Sequence, residues 1–336
     1  MTLNIGVIGA GRIGKVHAEN LATRVPGTAV GAIADVVLGS AQEVAARLHI
    51  PKVTADYREI LRDPAIQAVA ICSATDTHSQ IIIEAAQAGK HIFCEKPIDF
   101  NLDRIDQALA AVEKAGVKLQ IGFNRRFDAN YARVRQAIAS HEIGELHILH
   151  IISRDPGPPP VSYIKVSGGI FLDMSIHDFD MARFLTGSDA VEVYTVAGVK
   201  VDPAIGEAGD VDTAFVVMQF ANGATVTIDN SRKAVYGYDQ RVEAFGSAGA
   251  IATDNLYPNA AIISTAESIR RDLPLNFFMD RYTQSYEAEI RAFVEAVTQN
   301  KPIPVSGQDG RVPVVMGLAA RKSHLEKRPV KLSEIG

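Results

Sequence analysis

The segment GVIGAGRIGKVH, residues 6–17, decides how the first part of this chain folds. Gly9, Gly11 and Gly14 fit the G-x-G-x-x-G spacing of a dinucleotide-binding turn. Spacing alone is a weak signal, because small residues are common where a strand runs into a helix. Its surroundings make it stronger. NIGVIGA (4–10) is an apolar run ending in glycines, and KVHAENLATRV (15–25) carries apolar residues at helical spacing. A strand before and a helix after is the arrangement a dinucleotide needs. Gly9 would permit the tight turn, Gly11 would let a pyrophosphate approach the backbone, and Gly14 would let helix and strand pack closely. Free N–H groups and the helix dipole would hold the phosphates. Arg12 and Ile13 are counted with this cofactor-binding turn.

Alternation continues to residue 123. AVGAIADV (29–36), AVAICSA (68–74), HIFCEKP (91–97) and KLQIGF (118–123) read as four more strands, with helical patterns between them. Near-continuous apolar strands are expected where helices cover both faces of a parallel sheet. The pattern is doubly wound α/β. The second strand ends at Asp35, 21 residues after Gly14. An acidic residue there can bind the ribose hydroxyls and would repel a 2′-phosphate, which favours NAD over NADP. Ser73 and Thr75 close the third strand and His78 opens the next helix, beside the predicted path of the dinucleotide.

After residue 124 the texture changes. ELHILHIISR (145–154) and VEVYTVAGVKV (191–201) are strand-like. TAFVVMQFANGATVTIDNS (213–231) reads as two strands around Asn222–Gly223, a strong hairpin signal. QRVEAFGSAGAIATDN (240–255) predicts a further hairpin. Strand after strand predicts an α+β second domain with a mostly antiparallel sheet. DPGPPPVS (155–162) must be an irregular loop, since proline cannot serve a strand ladder.

Bulk properties bound the function. A chain of 336 residues is natural for two domains, and 22% charged residues is ordinary for a globular protein. A formal charge of -5 argues against a nucleic-acid surface. No apolar run approaches the roughly 18 residues needed to span a bilayer. Met1-Thr2-Leu3-Asn4 leads straight into a strand, without a basic region or cleavage site. Cys72 and Cys94 lie in apolar strands and read as free buried thiols of a reducing compartment. A soluble cytoplasmic protein is expected.

Two constellations could carry chemistry. CEKP (94–97) sets Lys96 at the carboxyl end of a buried strand, the edge where such sheets bind ligands. GGIFLDMSIHDFDMARFLTG (168–187) has Phe171, Leu172, Ile176, Phe179, Ala182 and Leu185 at helical spacing, with Gly187 as a stop. Asp173 and His177 are four apart and would share one helix face, with Asp180 a turn further. A carboxylate beside an imidazole suits a general base. The same spacing could hold a divalent metal, but no further ligand cluster is evident and no metal is expected.

With these motifs in place, the chain resembles the glucose–fructose oxidoreductase/inositol dehydrogenase (Gfo/Idh/MocA) family over essentially its whole length. The closer resemblance is to that family's bacterial inositol 2-dehydrogenases. It rests on GFNRRFD (122–128), SRDP (153–156), SGGIFLDMSIHDFDMARFL (167–185), YGYDQRVE (236–243) and NFFMDRYTQSY (276–286). The resemblance implies a Rossmann domain over 1–123 and a substrate-binding and oligomerisation domain over 124–336. It also implies that helices after about residue 290 pack back on the first domain, and that a homotetramer forms through the second domain's open sheet. It implies NAD-dependent oxidation of a cyclic polyol, myo-inositol first among them, to its 2-keto product. Lys96, Asp173 and His177 would be the catalytic set. Glu95, Lys96 and Arg126 would join the cofactor contacts. Lys96, Asn124, Arg126, Asp155, Tyr163, Asp173, His177, Tyr236 and Tyr282 would meet the substrate. Alternatives are the same chemistry on scyllo-inositol or a glucose-type sugar, an NAD-using hydrolase or lyase, and a non-catalytic dinucleotide sensor.

Overall fold

The computed structural model describes residues 2–336, which divide into two compact units. The first comprises residues 2–127 and 284–314, and the second residues 128–283 and 315–336.

In the first unit, β1 (Leu3–Ile8), α1 (Arg12–Glu19), β2 (Thr28–Ala34), α2 (Leu38–Leu48), β3 (Lys52–Thr54) and α3 (Arg58–Arg62) form one half. The other half is β4 (Ala68–Ile71), α4 (Thr75–Gln87), β5 (His91–Glu95), α5 (Leu102–Ala115) and β6 (Leu119–Gly122). Their sheet order is β3-β2-β1-β4-β5-β6, all pairs parallel. This is the doubly wound order, whose direction of strand addition reverses between β1 and β4. The sheet has six strands where five were expected. The extra one, β3, is three residues of edge strand with no apolar run to announce it.

The second unit follows as α6 (Ala129–Ala139), β7 (Leu146–Arg154), α7 (Val161–Ile164), α8 (Gly169–Asp173), α9 (Ile176–Thr186), β8 (Ala190–Gly198) and α10 (Pro203–Glu207). Then come β9 (Thr213–Phe220), β10 (Thr225–Ser231), β11 (Asp239–Gly246), β12 (Gly249–Ala252), β13 (Ile262–Ser264), β14 (Ile269–Arg271) and α11 (Phe278–Arg281). Finally α12 (Thr283–Thr298) belongs almost wholly to the first unit, α13 (Gly307–Glu326) serves both, and β15 (Val330–Lys331) returns to the second. The large sheet has the order β12-β11-β7-β10-β9-β8-β15, antiparallel except where β7 pairs with β10.

Burial alternates along most of the length of β7, β9, β10 and β11. Leu149, Ile151, Ala214, Val216, Met218, Val226, Ile228, Val242 and Ala244 are buried on one face. Ile148, Tyr194, Val196, Phe215 and Phe245 fall at exposed positions of the alternation. In the first unit α12 supplies Ile290, Phe293 and Val294 to the same core cluster as Ile5, Val7 and Phe93. Each such large apolar side chain contributes roughly 1.5–3 kcal/mol when fully buried. That burial, rather than chain order, makes α12 part of the first unit.

Candidate active site

The first unit gathers the predicted cofactor residues at the carboxyl edge of its sheet. Gly9 follows β1 with φ +103, and a Cβ there would lie 2.5 Å from the Cys72 carbonyl. A Cβ at Gly14 would lie 2.0 Å from the Gly9 carbonyl oxygen, so α1 can approach β1 only without a side chain. A Cβ at Gly11 would meet nothing within 4 Å, which leaves the space a pyrophosphate needs. Gly11 is the N-cap of α1 and no side chain caps the helix. Those first N–H groups suit an anion, with Arg12 and Ile13 as the opening residues. Asp35 stands just past β2 and fastens the turn from outside. Its Oδ2 accepts from the Ala10 N–H at 2.6 Å and its Oδ1 from the Val37 N–H at 2.8 Å.

Past β4, the Ser73 hydroxyl pairs with Thr77 at 2.7 Å, and Thr75 begins α4 behind Ala74 as N-cap. His78 departs from its expected place beside a ligand. It is buried, with Nδ1 at 2.8 Å from the Pro97 carbonyl and Nε2 at 3.0 Å from the Ser73 carbonyl. Burial, more than these bonds, sets the lowered pKa of its imidazole. It braces the turn after β4 against the turn after β5. Glu95 also departs from its expected place at the cofactor. Its carboxylate turns inward and meets His17 Nε2 at 2.7 Å. Lys96 is half-buried one residue past β5, and its bond to Pro97 is cis. After β6, Asn124 is 2% exposed and its Nδ2 has no hydrogen-bond partner. Arg126 pairs with Asp309 at 3.1 Å.

In the second unit the helix expected over 168–187 is two helices. α8 ends at Asp173, and α9 begins at Ile176 after a break at Met174–Ser175. The simple i, i+4 relation of Asp173 to His177 on one helix is therefore corrected. The break is pinned from the sheet side. Ser175 Oγ donates to Asn230 Oδ1 at 2.5 Å, and Asn230 Nδ2 donates to Asp178 at 2.8 Å and to the Ser153 carbonyl at 3.2 Å. Every residue from Phe171 through Ala182 is buried except Asp173 and His177. Asp173 accepts from the Tyr163 hydroxyl on Oδ1 at 3.0 Å and faces Arg232 from Oδ2 at 3.4 Å. Asp180 is fully buried, so it does not continue an open face with His177.

Asp155 follows β7, its N–H bonded to the Ser231 carbonyl. Tyr236 donates to Asp239 at 2.6 Å and accepts from Arg154 at 3.0 Å. Burial opposes ionisation of Asp239, but Arg241, Tyr236 and Asn255 outweigh it and hold the carboxyl at about 2. Tyr282, expected to meet substrate, is 2% exposed. Its hydroxyl lies 3.3 Å from that of Tyr131 and 3.4 Å from Gln240 Oε1, so within this unit it packs the core.

Among the described residues the group of metal-ligand type is His17, Glu95 and Glu289, all buried, and not the Asp173–His177–Asp180 set. His17 lies on the inner face of α1, and its Nε2 is 3.9 Å from Glu289 Oε1. Neither Glu289 oxygen has a hydrogen-bond partner. Burial first, and the nearby Glu95 second, push the Glu289 carboxyl well above the usual range. The pattern held a trace of this: Tyr286, Glu289, Ile290 and Phe293 share one helical face, so Glu289 occupies a core position.

Residues 3–123 match the GFO_IDH_MocA model, an oxidoreductase family with an NAD-binding Rossmann fold, and 131–252 match the GFO/IDH/MocA C-terminal domain. The chain belongs to the Gfo/Idh/MocA oxidoreductase family. Its first unit is an NAD-binding Rossmann domain. The chain is 48% identical to a myo-inositol 2-dehydrogenase of Thermotoga maritima, over 99% of both chains. It is 46% identical to an inositol 2-dehydrogenase of Rhizobium meliloti, over 99% of this chain and 100% of the relative. A scyllo-inositol dehydrogenase of Lactobacillus casei, solved with bound NAD(H) and scyllo-inositol, superposes with a TM-score of 0.93 at 29% identity, covering 99% of this chain and 100% of that one. No helix among the described residues is long and apolar enough to cross a membrane.

Two outcomes follow from this Gfo/Idh/MocA cofactor unit. Asp35→Ala should lower the kcat/KM preference for NAD over NADP at least tenfold, about 1.4 kcal/mol. An unaltered ratio would refute the ribose assignment. Glu289 keeps a proton that the unfolded chain releases near 4.5. Its contribution to stability is therefore full below that pH and declines as pH rises toward its folded pKa. Glu289→Gln should melt higher than the native protein by a margin that widens from acid to neutral pH; a margin flat with pH would contradict the raised pKa.

Proposed function

We propose that this chain oxidises a cyclic polyol, myo-inositol, to its 2-keto product (scyllo-inosose) with NAD. One observation carries the reading within this oxidoreductase family. Within the run Phe171 to Ala182, otherwise buried throughout, the two residues left partly open are a carboxylate, Asp173, and an imidazole, His177. A dinucleotide sensor has no need of that pair or of Lys96. The names of the relatives, and the polyol bound by the Lactobacillus casei enzyme, support the substrate class.

Oxidation of a secondary alcohol separates two hydrogens. Bound NAD supplies the hydride acceptor. His177 takes the hydroxyl proton, a role worth about 10²–10⁴-fold in rate. Lys96 donates a hydrogen bond to the reacting oxygen as negative charge develops there. Asp173, steadied by Tyr163 and Arg232, orients a neighbouring hydroxyl. A ring carrying a hydroxyl on every carbon must be held by many polar groups. Asn124, Arg126, Asp155, Tyr163 and Tyr236 are assigned to it, and the unpartnered Asn124 Nδ2 is a donor suited to such a ligand.

The first unit is assigned to cofactor, besides the substrate residues Lys96, Asn124 and Arg126 that it carries, and the second to substrate and assembly. Exposed Ile148, Tyr194, Val196, Phe215 and Phe245 form an apolar set on the large sheet, which supports a homotetramer built through it. The free buried thiols Cys72 and Cys94 support a cytoplasmic setting.

Initial rates of NADH formation over a panel of inositols and pyranoses test the substrate. Myo-inositol should give the highest kcat/KM; turnover of none of the inositols would sink the reading, and a preference for scyllo-inositol would move it to that isomer. His177→Ala should keep NAD affinity within threefold and lose at least 100-fold in kcat. Phe215→Glu should shift the mass in light scattering from tetramer toward smaller species, and an unchanged mass would remove the sheet from the assembly.

A further inference from the structure

The buried cluster beneath β5 has no place in the chemistry above. We propose that His17, Glu95 and Glu289 position Lys96, with His17 tying the cofactor helix to the lysine-bearing strand. The inference rests on the assignment of Lys96 just made.

Three elements meet here: α1, which opens on the glycine turn; β5, which ends at Glu95; and α12. Glu95 is the residue before Lys96, so the place of its carboxylate restricts the backbone from which Lys96 projects. That carboxylate is held on two sides. His17 Nε2 bonds it at 2.7 Å. On β6, a Cβ at Gly122 would lie 3.2 Å from it, tighter than an ordinary contact. The imidazole is itself held edge-on by the Phe93 ring, 4.9 Å between centroids, and by the Tyr286 ring at 5.9 Å. Glu289 completes the wall with its Oε1 3.9 Å from His17 Nε2, and burial raises the pKa of its carboxyl.

Stability alone does not account for the cluster. A well-packed apolar replacement of buried polar groups is often neutral or stabilising. What the polar set adds is a directional bond to one atom beside Lys96. A shared metal ion does not fit either. Two ligand atoms on one tetrahedral ion, each about 2.0–2.2 Å from it, stand roughly 3.3–3.6 Å apart. The His17–Glu95 separation of 2.7 Å is that of a hydrogen bond closed by a proton.

The test compares His17→Leu with His17→Gln, whose amide keeps a donor. Misplacement by about 1 Å can lower rate about 100-fold. His17→Leu should therefore reduce kcat at least 30-fold with NAD affinity within threefold, and His17→Gln should recover most of that loss. Gly122→Ala presses on Glu95 from the opposite side and serves if His17→Leu does not fold. It should lower kcat about tenfold, again with NAD affinity held. A native kcat in folded His17→Leu or in Gly122→Ala would overturn the inference. So would kcat and NAD affinity falling in step, or one metal ion per chain retained after gel filtration. Lys96→Ala separates the two readings: if it keeps native turnover, the assignment of Lys96 itself fails. If Lys96→Ala is inactive while folded His17→Leu is not impaired, only the positioning role falls.

Discussion

The first unit depends on one close contact. A Cβ at Gly14 would sit 2.0 Å from the Gly9 carbonyl, so the helix after β1 can lie against the turn only because that atom is missing. The contact places α1's capless N-terminus at the carboxyl edge of the sheet, with open space at Gly11. The same placement brings His17, one turn further along α1, into the core beside β5. One geometric constraint thus sets both where a pyrophosphate can approach and which strand the helix grips below. Asp35 adds the lateral fastening: its two oxygens bond Ala10 and Val37, so a residue chosen for a ribose also holds the turn's shape.

The second unit solves a different problem, the exposure of two polar residues within an almost wholly buried helix pair. Its solution is the break at Met174–Ser175. A continuous helix would give Asp173 and His177 a fixed angular offset of one turn. Splitting it lets each be set by its own support. Asp173 is held from Tyr163 and Arg232, whereas the start of α9 is held by Asn230 through Ser175 and Asp178.

These differences show where sequence reading works. Apolar strands, the Asn222–Gly223 hairpin, the glycine turn and Asp35 are legible because each depends on residues near in sequence. Phe171, Leu172, Ile176, Phe179, Ala182 and Leu185 are all buried as their spacing predicts, because periodicity survives a short break in the helix. The break itself is not legible in the sequence. It is stabilised by Asn230, 55 residues beyond Ser175, and no local residue demands it. β3 is not legible either, because an edge strand of three residues leaves no period to count. His78 is expected beside the dinucleotide from its place after a strand end, and Glu95 at the cofactor from the family resemblance. Their side chains instead meet the Ser73 and Pro97 carbonyls and His17, partners that only the fold brings close.

Arg232 shows how structural and chemical duties can be joined in one carboxylate. Its side chain is 1% exposed, and it lies 3.4 Å from Asp173 and 3.9 Å from Asp210. A buried guanidinium cannot shed its charge and needs anions nearby. Asp210 meets part of that need while also accepting from the Ile170 N–H at the start of α8. Removing the Asp173 carboxylate therefore takes away more than a substrate contact. It also leaves a buried cation short of one partner, at a typical penalty of several kcal/mol when such a pair is broken. The presence of Asp210 lowers that penalty, because the cation keeps one carboxylate. The pairing also works in the other direction. Asp173 is held between a fixed cation and the Tyr163 hydroxyl, so its orientation does not depend on a ligand to organise it.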